Sequence, residues 1–200
     1  MAINKLTKDG YAQIELNHVA WRRDGRIEAQ CALDSTDFAT LKAENGMWVA
    51  VDNVARKLFL PTATNLATLP LGIIYTTEHI YDQRTPGLKN FATGLNDFYA
   101  RVGYPAVADR FTTNAVAYDT TEFATEALFK TALAALGTTP LYAGVLEGAL
   151  GYHLVSATPA VTGPVSKVVE YTTMPDGQLA VKLQVLSFKP EVAVEEVAGG

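Results

Sequence analysis

The stretch that most constrains what this chain can fold into is Val165 to Leu186. Its second arm alternates without a break. Leu179, Val181, Leu183 and Val185 fall on one face, and Gln178, Ala180, Lys182 and Gln184 on the other. A period of two is the pattern of a strand with one buried and one wet face. Between the arms stands Met174-Pro175-Asp176-Gly177. Pro175 presets φ for the second turn position, Asp176 can bond its own backbone, and Gly177 accepts positive φ. The other end of the chain has a similar layout: Ile14–Trp21 runs into Arg22-Arg23-Asp24-Gly25, and Arg26–Leu33 runs out. The chain is therefore expected to begin and end in antiparallel β-hairpins.

The middle reads as follows. Met47–Val51 and Lys57–Leu60 form a second candidate strand pair around Asp52-Asn53, and Asn45-Gly46 before it is a turn signal. Pro61–Pro70 reads as loop, and Leu71–Thr77 as a short buried strand. Residues 78–110 hold no lasting period, and a loop of that length is usually functional or ordered by a partner. Phe111–Tyr118 returns to strand. One helix is expected over about residues 120–136. Asp119 with Glu122 resembles a capping box, and Phe123, Ala127, Leu128, Ala132, Ala135 and Leu136 make an apolar stripe; Gly137 then provides the stop. Leu141–Val145 and Tyr152–Ala157 are strands around a Glu147-Gly148 turn. The expected fold is mainly β, a barrel or sandwich of antiparallel hairpins with that one helix. It forms a single domain over 1–190, followed by a flexible or partner-docked tail at 191–200.

Composition narrows the function classes. Hydrophobic residues make up 48% of the 200 and charged residues 18%, enough to bury a sizeable core beneath a surface low in charge. Such a surface suits packing against other proteins, since charge is depleted at interface cores. Abundant Thr equally reflects β-propensity. A net charge of −5 gives no global attraction to nucleic acid or an anionic membrane. No apolar run approaches the ~20 residues of a membrane-spanning helix. The first residues lack the apolar core of a secretory signal, so synthesis and folding in the cytoplasm are expected. Cys31, the lone cysteine, excludes an intramolecular disulfide and reads as a small buried hydrophobe.

Chemistry-bearing patterns are sparse. His18, His79 and His153 stand apart, with no helical zinc spacing and no Cys-x-x-Cys. His79, with Glu78, Tyr81 and Asp82 beside it, is the best enzymatic candidate; a hydrogen-bonded loop histidine is the plainer reading. No nucleophile elbow, dinucleotide fingerprint or phosphate loop occurs. The glycines of Tyr142–Gly151 read as turn and bulge residues. The carboxylate pairs Asp34/Asp37 and Glu195/Glu196 lie in expected loop and tail. Ser35, Ser156, Ser166 and Ser187 stand in no catalytic motif. No catalytic, cofactor or metal residue is assigned.

Several stretches carry a likeness: Ala12–Asn17 with Arg26–Cys31, then Tyr75–Asp82, Phe111–Asn114 and Thr172–Gly177. In these, and over most of 1–190, the chain resembles virion structural proteins of tailed bacteriophages. It is most similar to small head proteins encoded near the major capsid protein, the decoration or cement proteins. That resemblance implies a place on the capsid surface of the virion after synthesis in the host cytoplasm. It implies docking on the lattice of the major capsid protein, self-association there, and no cofactor. A tail-tube protein is the alternative, and a small enzyme around His79 a second. The expected partner surface is the aromatic segment with Tyr81, Phe91, Phe98, Tyr99 and Tyr104. Such rings anchor interfaces when exposed and fill a loop-capped core when not.

Overall fold

The computed structural model describes residues 3–16, 19, 29–76, 88–97, 99–145, 151–155 and 163–189. The chain opens with β1 (Ile3–Lys5) and continues through β2 (Ala29–Leu33), β3 (Trp48–Asp52) and β4 (Lys57–Phe59). A one-turn helix α1 (Ala63–Leu66) precedes β5 (Leu71–Ile74) and β6 (Ala100–Gly103). Then come β7 (Arg110–Thr113), β8 (Val116–Asp119), α2 (Glu126–Ala134), β9 (Tyr142–Gly144), β10 (Tyr152–Val155), β11 (Gly163–Thr173) and β12 (Leu179–Lys189). The fold is mainly β, as the alternating patterns predict. No described helix is long and apolar enough to cross a membrane.

Two sheets divide the work. Five strands close into a barrel in the order β2-β4-β3-β5-β6. Seven form a curled sheet in the order β1-β8-β10-β9-β11-β12-β7. Pairing is antiparallel except at β8/β10 and β2/β4, where an intervening crossover makes neighbours parallel. At β3 and β5 the barrel wall is buried on both sides. Val49 and Val51 of β3 point inward with Leu58, Ile74, Val102 and Cys31. Trp48 of the same strand and Ile73 of β5 point outward into the aromatic core under the seven-stranded sheet. There the Trp48 ring meets Tyr152 edge-on at 5.3 Å, and Tyr152 stacks on Phe111 at 6.2 Å.

The β3–β4 hairpin forms as expected. Its turn is held by the Asp52 carboxylate, which accepts the N–H groups of Val54 and Ala55, each at 2.8 Å. The β11–β12 hairpin also forms, with Thr173 opposite Leu179 and bulges after Val165 and Val168. Gly177 adopts φ +86, and its N–H donates to Met174 O at 2.8 Å. In β12, Val181, Leu183 and Val185 are fully buried, the face that alternation assigns to the core.

Other expectations need correction. The helix starts at Glu126, capped by Thr125, not at Asp119. Val116–Asp119 is held as a strand between β1 and β10, so the helix cannot begin there. The buried stripe is Phe129 and Leu133, whereas Leu128 is 54% exposed. This phase lets Phe129 stack on Tyr118 at 4.7 Å and meet Phe123 edge-on at 5.3 Å. Pro61–Pro70 is not all loop: Thr62 and Asn65 form a reciprocal capping box for α1. Strand β6 lies inside the supposedly irregular 78–110. Phe111–Tyr118 is two strands, broken at Asn114 and Ala115. The arm Ala29–Leu33 pairs with β6 and β4, while Ile14 bridges to Thr113. The turn at 22–25 and the tail at 191–200 lie outside the described residues.

Candidate functional site

The expected aromatic surface is divided by the structure. Tyr81 and Phe98 lie outside the described residues. Phe91 is half-buried, and Tyr104 packs against the barrel core. Among the described members Tyr99 is the open one, 47% exposed, where it precedes β6 at a barrel end. There the Arg56 guanidinium lies over its ring at 5.8 Å. Arg56 is held in that place by the β3–β4 turn, where it takes φ +55 and its carbonyl accepts the Ala32 N–H at 3.0 Å. Val54, in the same turn, is 96% exposed. One end of the barrel therefore displays an apolar tip, a cation and an aromatic ring on rigid backbone. A cation over a ring adds about 0.5–1 kcal/mol at exposed sites.

The enzymatic candidates do not assemble a site in the described chain. His18, His79, Glu78 and Asp82 lie outside the described residues, and His153 is buried in β10. No group of three His, Cys, Asp or Glu among the described residues could hold a metal. Asp34 and Asp37 brace a turn. Asp34 accepts the Thr36 N–H at 2.8 Å and pairs with Lys57 at 3.1 Å, and Asp37 accepts the Leu60 N–H at 2.9 Å. The Thr36 N–H, with Lys57 and Asp37 adding to it, holds the Asp34 carboxyl below the usual range. Ser166 shares a buried hydrogen bond with the Tyr152 hydroxyl at 3.1 Å, and burial pushes that phenol up. Burial also raises the Cys31 thiol, which suits the inert hydrophobe expected of it.

The richest polar convergence was not expected from sequence. Residues 3–16 cross the molecule as a strap. Its start, β1, pairs with β8, and the Leu6 N–H donates to Val116 O at 2.7 Å. Further along, the N–H groups of Lys8 and Asp9 both donate to Gln178 Oε1, at 2.9 and 3.0 Å. Asp9 also pairs with Lys89. Glu44, from the barrel side, accepts the Ala12 N–H at 2.8 Å and pairs with Lys5 at 3.4 Å. Gln13, fully buried, donates its N–H to Asn114 Oδ1 at 2.6 Å and its side-chain amide to Asp176 at 2.8 Å. The Thr113 hydroxyl donates to Gln13 O at 2.6 Å, and the Glu15 N–H to Thr112 O at 2.8 Å. Burial pushes the Asp176 carboxyl up, but hydrogen bonds from Gln178 and Gln13 outweigh it and the net shift is down. This network locks strap, hairpin tip and barrel together and contains no nucleophile–base pair.

Only one half of that network had a sequence signal. Asp176 does bond its own turn, accepting the Gln178 N–H at 3.1 Å. That Gln178 and Gln13 reach across from remote segments has no local signature. Comparison with protein-family models, with curated proteins and with solved structures found no match.

Proposed function

We propose that this chain is a virion structural protein, a decoration protein that binds the outer surface of a tailed-phage head and reinforces contacts in its capsid lattice. The resemblance of its sequence to head proteins supports the reading. The observation that carries it in the fold is the end of the barrel where Val54, Arg56 and Tyr99 stand together. Tyr and Arg are the residue types that dominate binding energy at protein interfaces. Held on a closed barrel, they lose little freedom on docking. Each lattice site need contribute only modestly, because many equivalent sites sum along the shell. No cofactor or metal enters this mechanism.

The test is the protein's place in purified particles. The reading requires copies in proportion to the major capsid protein, on the head. Rings along a tail would replace it with the tail-tube reading, and absence from particles would reject both. The double variant Val54→Asp, Tyr99→Ala is expected to lose head binding while keeping its fold. An enzyme centred on His79 remains the alternative if particles lack the chain and a substrate is turned over by it but not by His79→Ala.

A further inference from the structure

The seven-stranded sheet has two edges, and one short terminal segment covers parts of both. At one edge β1 lies along β8; at the other, residues 13–15 bond Thr112–Asn114 beside β7. Hydrogen bonds from this strap reach Glu44, 32 positions on from Ala12, and Gln178, 170 positions on from Lys8. Leu6, Ala12, Gln13 and Ile14 are all buried in sockets supplied by the rest of the chain. The strap is thus an element docked on a body by contacts with sequence-distant residues. Without it, β7 and β8 would offer unpaired backbone to any extended segment.

We propose that the strap is exchangeable: residues 3–16 of one copy seat in the same sockets of a second copy, producing a strand-exchanged dimer. The occupant is fixed by the structure, because the segment that fits these sockets is the strap itself. Exchange re-forms every contact described for it, so the two arrangements differ chiefly in the connection and in the entropy of association. The nine residues 20–28 that lead to β2 can span at most about 30 Å when extended, which sets the greatest separation that exchange allows between the two bodies. The proposal concerns the isolated chain, so its failure leaves the particle reading standing, and the reverse holds too.

The experiment is refolding at graded protein concentration, followed by light scattering. The intact chain is expected to yield a dimer fraction that rises with refolding concentration and decays slowly after dilution, because each strap must unseat first. Glu44→Ala removes the acceptor of the Ala12 N–H and the partner of Lys5, and should speed that decay several-fold. A chain lacking residues 1–16 should stay monomeric and bind a synthetic peptide of residues 3–16 saturably. No dimer from either intact chain or Glu44→Ala at any concentration overturns the proposal. So does a dimer that forms equally well without the strap, or a folded truncated chain that ignores the peptide. If the truncated chain does not fold, the refolding comparison of intact chain and Glu44→Ala decides alone.

Discussion

The barrel and the seven-stranded sheet meet at one wall and reach completeness by opposite routes. The barrel closes on itself, so each of its strands has a neighbour on both sides, and its interior is mostly aliphatic. The sheet stays open, fills its hollow with Tyr118, Phe129, Phe111 and Tyr152, and depends on a strap from the far end of the sequence. Closure removes the edge problem from within; an open sheet must be finished by something else. Trp48 and Ile73 make the two inseparable in packing, since a single strand pair lines one core with its inner face and the other with its outer.

Four perturbations break or sharpen that contrast. Trp48→Ala strikes the shared wall and should cost about 3–5 kcal/mol. Urea unfolding followed by two probes, one per sheet, should still show coincident transitions; separated transitions would mean that the two regions fold independently. Gly46→Ala comes next. Gly46 sits at φ +93 where barrel meets sheet, and a Cβ there would lie 2.5 Å from the Ala115 Cβ and 2.6 Å from Thr113 Oγ1. Left-handed backbone costs about 1–2 kcal/mol and overpacking about 1–3, so a loss of roughly 2–5 kcal/mol is expected in thermal melts.

Asp34→Asn tests the barrel side by itself. The folded carboxyl is held below its unfolded value of about 3.9, so its contribution is present above that pH and disappears as pH falls through the folded value. The variant should lose about 0.2–1 kcal/mol at neutral pH and show a shallower acid limb in a stability–pH series. An unchanged acid limb would remove Asp34 from the account of acid sensitivity. Smallest of all, Tyr99→Ala should shift stability by no more than about 0.5 kcal/mol, as exposed positions do. A larger loss would make Tyr99 a structural ring of the barrel instead of an anchor for a partner.

What could be read in advance follows from how local the cause is. The β11–β12 and β3–β4 hairpins carry their reasons in adjacent residues: a period of two, Asp52 folding back on its own turn, and Gly177 at positive φ. The helix was legible as an element but not in phase. Thr125 and Asp119 are both good caps, and only pairing of 116–119 with β1 and β10 decides between them. β6 was invisible because Ala-Arg-Val-Gly has no pattern of its own; its burial comes from closing the barrel between β2 and β5. The aromatic cluster misled in part, since Tyr104 turns onto the barrel core and Tyr99 does not, a difference set by where β6 ends. The Val54–Arg56–Tyr99 group needed the fold, because two of its members lie more than forty residues from the third.

The strap also fixes an order of events during synthesis. Lys8 and Asp9 wait for Gln178, roughly 170 positions later in the chain. At ribosomal speeds of about 5–20 residues per second, that is a delay on the order of ten to thirty-five seconds. Residues 8 and 9 are thus made long before the partner that places them. Until then an extended N-terminus bearing Leu6 and Ile14 stays in the company of whatever else the cell offers it. A nascent chain on a neighbouring ribosome, carrying the same sockets, is among the partners it can meet.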